Sequence, residues 1–159
     1  MTQQVQKLVT RLQSEGEKTA AFFREIPKDA WEITLYADGE QWNIFQILIH
    51  IVQAENSVQR LITSIVDGHE GAPKDFDLDG YNHRKVRELA SQSAPELIAL
   101  FLERRSETVQ TVAAWSDEDL TQRGRHPFLG NAEVSEMVKL MYRHTQLHQR
   151  DIRKRLKKG

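Results

Sequence analysis

Apolar side chains recur at helical spacing in four long segments of this chain. The first segment, Gln3 to Glu25, predicts helix one, and Pro27 lies just beyond its end. Helix two is predicted to begin at Asn43, because the Asn43 side chain can cap the helix while Gln46 reaches back in a capping box. The apolar face of this helix continues to Asp67-Gly68, where the helix is expected to stop.

The connection between helices one and two, residues 27–41, carries further breakers at Asp38 and Gly39. It also contains two large aromatic side chains, Trp31 and Tyr36. We expect these two side chains to fold back over the end of the helical bundle.

The segment from His69 to Ser93 begins with Gly, Pro and Asp residues and becomes helical around Tyr81 to Ala90. This composition predicts a long crossover between two helices of a bundle. Ser93 and Glu96 then form a second capping box, which opens helix three. Helix three is expected to continue as far as Ser116-Asp117.

The next connection, Ser116 to Gly130, cannot be helical through Pro127. Asn131 is predicted to cap helix four, which continues to the C-terminal tail. The chain shows no alternating strand pattern. We therefore predict an all-α fold: a single domain over residues 1–159, built as a four-helix bundle with the long crossover between helices two and three.

Charge and composition exclude several classes of protein. The formal net charge of −1 argues against a nucleic-acid binder, and the Lys and Arg residues of the tail suit the C-terminus of a helix. The absence of cysteine excludes a disulfide framework and a thiolate metal site. The N-terminus resembles neither a signal peptide nor a membrane span, which predicts a cytoplasmic protein without a membrane partner.

Helix four carries two histidines four residues apart, His144 and His148, on the same stripe as its apolar side chains. Two imidazoles one turn apart can chelate a metal ion, but a site in a helical protein needs a further ligand from another element. The best candidate is His50, which lies in the apolar run of helix two. From spacing alone, the two histidines of helix four could equally be satisfied core residues.

Glu55 falls near the middle of the apolar stripe of helix two, where an unpaired carboxylate costs stability. Three roles are open to it: a fourth metal ligand, an acceptor for an imidazole N–H, or a hydrogen bond between helices. We prefer the second role, because imidazoles that bind metals usually donate their other N–H to such a group.

Histidines without cysteine suit a divalent ion such as zinc, nickel, iron or manganese. Three ligands leave coordination positions open for a water, whose pKa falls to roughly 7 on zinc, or for the thiolate of a small thiol cofactor. The zincin motif is excluded because Thr145 follows His144. A di-iron site of the E-x-x-H type is excluded too, because no glutamate stands three residues before any of the three histidines, which predicts a mononuclear site.

Two motifs resemble a known family. The segment WNIFQILIHIVQAE, residues 42–55, resembles the second-helix signature of the DinB/YfiT-like superfamily, and RHTQLHQRDI, residues 143–152, resembles its last helix. The segment FDLDGYN, residues 76–82, is similar to the crossover of the maleylpyruvate-isomerase-like branch. The resemblance covers nearly the whole chain, and its histidines are the specific part.

This resemblance implies an up-down-down-up bundle, often dimeric, with one divalent metal ion on three histidines: His50, His144 and His148. It also implies either a transferase or isomerase that uses bacillithiol, mycothiol or glutathione, or a metal-dependent hydrolase, without choosing between them. We therefore expect a homodimer that acts on a small-molecule substrate. The alternative is a non-catalytic dimeric module that binds a metal or a small molecule.

Three residues of the connections are weaker candidates for substrate contact, since loops could close over the metal there: Tyr81, Asn82 and Arg125. The three remaining histidines lie in or beside loops and are expected to be exposed to solvent: His69, His83 and His126.

Overall fold

The computed structural model describes residues 1–36 and 41–158, so the predicted breakers Asp38 and Gly39 lie outside the described residues. The predicted four-helix bundle is confirmed by four long helices, which are connected by segments containing two shorter helices and two short strands. In chain order the elements are α1 (Gln3–Arg24), α2 (Ile44–Val66), α3 (Leu78–Glu88), α4 (Ala94–Ala113), α5 (Asp117–Thr121), β1 (Arg123–His126), β2 (Gly130–Glu133) and α6 (Val134–Lys157). Within the described residues, no helix combines the length and the apolar character that crossing a membrane requires.

Both predicted capping boxes are present. The Asn43 side chain accepts from the Gln46 backbone N–H at 2.8 Å, and the Gln46 side chain accepts from the Asn43 backbone N–H at 2.9 Å. Ser93 and Glu96 exchange the same two bonds at the start of α4. These local contacts set where α2 and α4 begin.

The predicted start of the last helix at Asn131 is wrong. Asn131 lies in β2, which pairs antiparallel with β1, and α6 begins only after Glu133, whose side chain makes no capping bond. Gly130 has a φ of 72°, a conformation that glycine adopts readily, and it closes the turn between the two strands. Strands of four residues are too short for a clear alternation of apolar and polar residues, so the sequence pattern does not reveal this hairpin.

Two pairs of helices are parallel, because their contacts move along both helices in the same direction. Between α1 and α6, Arg11 contacts Tyr142 and Thr19 contacts Gln149. Between α2 and α4, Gln53 contacts Arg104 and Gln59 contacts Thr111. By contrast, α1 and α4 are antiparallel, because Thr2 contacts Asp117 while Leu12 contacts Arg105. In chain order the long helices therefore run up, down, down and up. The parallel pair α2 and α4 is connected by residues 67–93, which include α3.

Among the residues that the structure describes, the core has two hydrophobic clusters, one containing Phe23 and Phe101 and the other containing Leu12 and Met137. Each long helix contributes buried polar residues between its parts of the two clusters: Glu15 and Thr19 on α1, Gln53 and Glu55 on α2, Arg105 and Thr108 on α4, and Thr145, His148 and Gln149 on α6. We call these residues the polar layer. Buried polar groups need partners, so the contacts made in this layer are specific ones.

Candidate metal centre

Three imidazoles converge beside the polar layer. The Nε2 atom of His144 lies 2.9 Å from Nε2 of His148 and 3.3 Å from Nε2 of His50. One ring nitrogen from each of the three lies within 4.8 Å of the others. The i, i+4 spacing on α6 places two of these rings edge-on to each other at 4.4 Å, and the third comes from α2. The structure thus brings together the three histidines that the sequence pointed to, and their assignment as metal ligands stays a prediction.

The three imidazoles are neutral at pH 7. His50 and His148 are only 8% and 9% exposed. Burial, with a smaller effect from neighbouring imidazoles, lowers the pKa of His50, His144 and His148 from 6.5 to about 3. A neutral imidazole keeps a lone pair on one nitrogen, which is the form that binds a metal ion.

The spacing of the ring nitrogens suits a single ion. Ligand nitrogens about 2.0–2.1 Å from a tetrahedral metal lie roughly 3.3 Å from one another. The two Nε2 separations of 2.9 and 3.3 Å are close to that value. Three nitrogen donors without a thiolate are also the donor set that first-row divalent ions accept.

Tyr36 connects His148 to Asp151. The Tyr36 hydroxyl donates to Oδ2 of Asp151 at 3.0 Å, and its oxygen lies 3.3 Å from Nδ1 of His148. Because the single hydroxyl hydrogen is directed to Asp151, the oxygen accepts from Nδ1–H, and Nε2 of His148 keeps the lone pair. Burial, together with the contact to Asp151, raises the pKa of Tyr36. Sequence analysis missed this contact, and no local signal exists, since Tyr36 and His148 are 112 positions apart.

Aromatic side chains support the site from the connection between α1 and α2. The Trp42 ring is buried and lies 5.0 Å from the His50 ring, at an angle of 40°. Trp31 stacks on Phe23 at 6.2 Å and contacts Phe45 edge-on. Packing of this kind restricts the orientation of the His50 ring.

A cavity of about 990 Å³ opens beside the three histidines, and all three lie in its wall. Tyr81 and Asn82, two of the predicted substrate contacts, line it as well, and the Tyr81 hydroxyl lies 2.7 Å from the Ser57 hydroxyl. Much of the remaining wall is apolar, including Ile51, Val58, Leu61, Phe76, Leu78, Met137, Leu140 and Met141. A cavity with an apolar wall and a few polar groups is the usual form of a small-molecule site.

Arg125, the third predicted substrate contact, lies in β1 and contacts the crossover. It is not among the described wall residues, and its guanidinium donates to the Ala72 carbonyl at 2.8 Å. Its backbone N–H donates to Glu70, and its carbonyl accepts from Ala72, both at 2.8 Å. Arg125 therefore ties the crossover to β1 and holds one part of the cavity wall in place.

The described contacts of Glu55 are with α4, whereas its preferred role was to accept from an imidazole N–H. Its two oxygens accept from Nε and Nη2 of Arg105 at 2.8 and 2.9 Å, and the Thr108 hydroxyl donates to Oε2 at 2.8 Å. These are hydrogen bonds between helices, the third of the roles open to Glu55, and none of the three comes from an imidazole. Arg105 follows Phe101 by four residues on the inner face of α4. Its position in an apolar stripe could therefore have been recognised from the sequence.

His69 and His83 are exposed as predicted, whereas His126 is buried, with only 6% of its surface accessible. The alternation of β1 places Gly124 and His126 on the inner side. His126 lines the cavity, and it is close enough to His144 to be one of the influences that lower the pKa of His144. Sequence analysis missed this residue because the strand that turns it inward was not predicted.

The family model described as the DinB superfamily matches residues 11–152, which include all three converging histidines. The chain belongs to the DinB superfamily. No curated protein matches this member.

The fold of this DinB-superfamily chain is similar to that of two solved structures. With the mycothiol-dependent maleylpyruvate isomerase, the TM-score is 0.73 at 12% identity, over 96% of this chain and 63% of the isomerase. With YfiT from Bacillus subtilis, described as "a probable metal-dependent hydrolase with an unusual four-helix bundle topology", the TM-score is 0.73 at 15% identity, over 97% of this chain and 87% of YfiT. At these identities the likeness concerns the fold, and this chain spans less than two thirds of the isomerase.

Proposed function

We propose that this protein is a metal-dependent enzyme in which His50, His144 and His148 bind one divalent ion at the cavity wall. The observation that carries the proposal is the convergence of three neutral imidazoles on one point, with Nε2 separations of 2.9 and 3.3 Å. Zinc, nickel, iron or manganese all accept this donor set. The group activated there is a water or a low-molecular-weight thiol, so the reaction is a hydrolysis or an S-transfer.

The two reaction classes come from the solved structures of similar fold. One of these proteins is described as mycothiol-dependent and the other as metal-dependent. Both descriptions are compatible with the same three histidines, because each reaction needs an open coordination position next to a substrate cavity.

Tyr36 and Asp151 support the ligand set in this proposal. By accepting from Nδ1–H, Tyr36 keeps the lone pair of His148 on Nε2, where the other two imidazoles converge. Partners of this kind fix the tautomer and the orientation of a ligand and raise its basicity. Trp42 restricts the His50 ring in a similar way.

The charge balance of the site favours an anionic nucleophile. The three imidazoles are neutral, and Arg105 compensates the charge of the nearby Glu55 carboxylate. When bound here, a divalent ion would lower the pKa of a water or thiol and supply hydroxide or thiolate near neutral pH. The apolar part of the cavity wall would hold the body of the substrate and keep bulk water away, while Tyr81, Ser57 and Asn82 offer polar groups.

Elemental analysis of protein purified without a metal-affinity tag tests the site. We expect about one divalent ion per chain, lost in His50→Ala and in His148→Ala, and retained in the matched control His69→Ala, which changes an exposed histidine. Unchanged metal content in His148→Ala would overturn the ligand set. Failure of the wild-type protein to take up any ion, even after incubation with each candidate metal, would overturn the proposal.

Activity of the metal-loaded protein separates the two reactions. One assay offers glutathione, bacillithiol or mycothiol together with an electrophile, and the other offers an activated ester without thiol. Turnover that requires the thiol identifies a transferase, and ester cleavage without thiol identifies a hydrolase. Tight metal binding with no turnover in either assay would instead favour the non-catalytic binding module.

A further inference from the structure

His126 holds a buried polar atom that no described residue satisfies. Its Nε2 is the one buried side-chain nitrogen or oxygen without a hydrogen-bond partner among the described residues. The side chain is more than nine-tenths buried and forms part of the wall of the cavity that contains the three converging histidines. Buried polar atoms in folded proteins nearly always have a partner, so an unpartnered atom of a residue that lines a cavity points to a ligand.

The hydrogen bonds of the other ring nitrogen, Nδ1, determine whether Nε2 carries the hydrogen. The backbone N–H groups of Phe128 and Leu129 both donate to Nδ1 of His126, at 3.0 and 3.2 Å. Nδ1 is therefore an acceptor without a hydrogen, and in a neutral imidazole the hydrogen must be on Nε2. Burial lowers the pKa of His126, which favours this neutral form.

This tautomer makes His126 unsuitable as a metal ligand. With a hydrogen on Nε2 and two donors on Nδ1, the ring has no free lone pair for a metal ion. Consistently, His126 is not in the group of residues whose donor atoms lie within 4.8 Å of one another. His126 therefore offers a single N–H donor, on a residue that lines the cavity.

We propose that the Nε2–H group of His126 binds the acceptor oxygen of a small molecule in this cavity. The ligand class is a compound with an apolar body, which fits the mainly apolar wall, and a carbonyl or carboxylate oxygen that accepts from Nε2–H. The inference rests on the proposed function only in taking this cavity as the substrate site. His126 is thus a binding residue, and the hairpin of β1 and β2 is the element that presents it.

Two variants separate this role from a structural one. In His126→Asn, the side-chain oxygen can replace Nδ1 as the acceptor for Phe128 and Leu129, as in an Asx-turn, but the Nε2–H donor is lost. In His126→Gln, the side-chain amide can reach the position of Nε2 and donate, but the acceptor for the turn is lost. His69→Asn, at an exposed position, controls for the substitution itself.

The measurement is binding of 4-phenylbutan-2-one and of 3-phenylpropionate, which carry a carbonyl and a carboxylate on the same apolar group. Both are titrated into chelator-treated protein labelled with ¹⁵N at histidine, and the His126 Nε2–H signal is followed by NMR. We expect this signal to shift with at least one probe. Binding of the ketone indicates a neutral acceptor, and binding of the carboxylate indicates an anionic one. The His126→Asn variant should bind that probe roughly threefold to tenfold more weakly, because one hydrogen bond is lost, while His126→Gln binds more tightly than His126→Asn.

Several outcomes would overturn the inference. One is a hydrogen on Nδ1 instead of Nε2 in the NMR spectrum. Another is that neither probe binds the wild-type protein, which refutes the ligand class. A third is that His126→Asn binds the probe as tightly as the wild type, or that only His126→Gln loses affinity for it. Either result would show that His126 stabilises the turn and does not bind the ligand.

Metal analysis of the same variants keeps this test apart from the proposed function. We expect His126→Asn to retain the metal content of the wild type, and a loss of metal would make His126 a ligand and refute the donor role. Because the probes are titrated into chelator-treated protein, a failure of the metal site leaves the binding result interpretable.

Discussion

Glu55 and Arg105 form a bidentate ion pair in the middle of the bundle. Nε of Arg105 lies 2.8 Å from Oε2 of Glu55, and Nη2 lies 2.9 Å from Oε1. The same guanidinium donates to the carbonyls of Leu12 and Met141. Arg105 on α4 therefore contacts each of the other three long helices. This ion pair connects the four long helices within the polar layer, which also contains His148 of the cavity wall.

Replacing Arg105 should be strongly destabilising. In Arg105→Ala, Glu55 remains buried without a countercharge, and we expect a loss of about 3–5 kcal/mol in the free energy of unfolding, measured by urea denaturation. Lys139→Ala removes an exposed contact to Glu136 and should cost at most about 1 kcal/mol. A similar cost for the two variants would show that the buried pair does not contribute as argued. The double variant with leucine at positions 55 and 105 should recover much of the loss, because it leaves no unpaired charge.

The hydroxyl of Tyr36 should contribute to metal affinity. In Tyr36→Phe, Nδ1 of His148 loses its acceptor, and we expect the affinity for the ion to fall by roughly tenfold or more without loss of the fold. Competition with a chromophoric chelator measures the affinity, and circular dichroism checks the helix content. Tyr81→Phe is the matched control, since that hydroxyl contacts Ser57 and not a histidine. An equal effect of the two variants would contradict the role given to Tyr36.

The metal-free protein should lose stability as the pH falls below about 6.5. His50, His144 and His148 have a pKa of about 3 when folded and about 6.5 when unfolded, so between these values the unfolded chain binds more protons. Above pH 6.5 both states are neutral and the three histidines contribute no pH dependence. Below it, each contributes a loss of about 1.4 kcal/mol per pH unit. Urea denaturation of chelator-treated protein between pH 7 and pH 5 measures the slope, which His50→Gln should reduce and His69→Gln should leave nearly unchanged. A stability that stays constant over this range would contradict the prediction.

Gly71 should tolerate substitution less well than Gly68. Both have a positive φ, of 97° and 100°, so alanine is strained at either position. A Cβ at position 71 would also collide with the backbone of Arg125, whereas position 68 is open. We expect Gly71→Ala to be the more destabilising variant in urea denaturation, and to weaken probe binding because it displaces the crossover that lines the cavity. Equal losses in the two variants would show that backbone strain is the only effect.

The four long helices, both capping boxes and the pairing of His144 with His148 one turn apart could be predicted from the sequence. Each depends on residues within about four positions of one another, so spacing alone shows it. His50 lies 94 positions from His144, and it was identified by position in an apolar run and by resemblance to a family. The burial of Arg105 in an apolar stripe could also have been predicted from the sequence, but its partner could not.

The sequence by itself determined the four long helical segments, where α2 and α4 begin, and that His50, His144 and His148 lie in apolar helical runs, because helix periodicity and capping are local. Only the tertiary structure decided the partners: Arg105 for Glu55, Tyr36 for His148, and the cavity for His126. These contacts join residues 50 or more positions apart, or depend on a hairpin too short to show a pattern. The physical reason is that a buried polar group takes its partner from whichever helix packs against it, and that choice is made by the packing of the whole bundle.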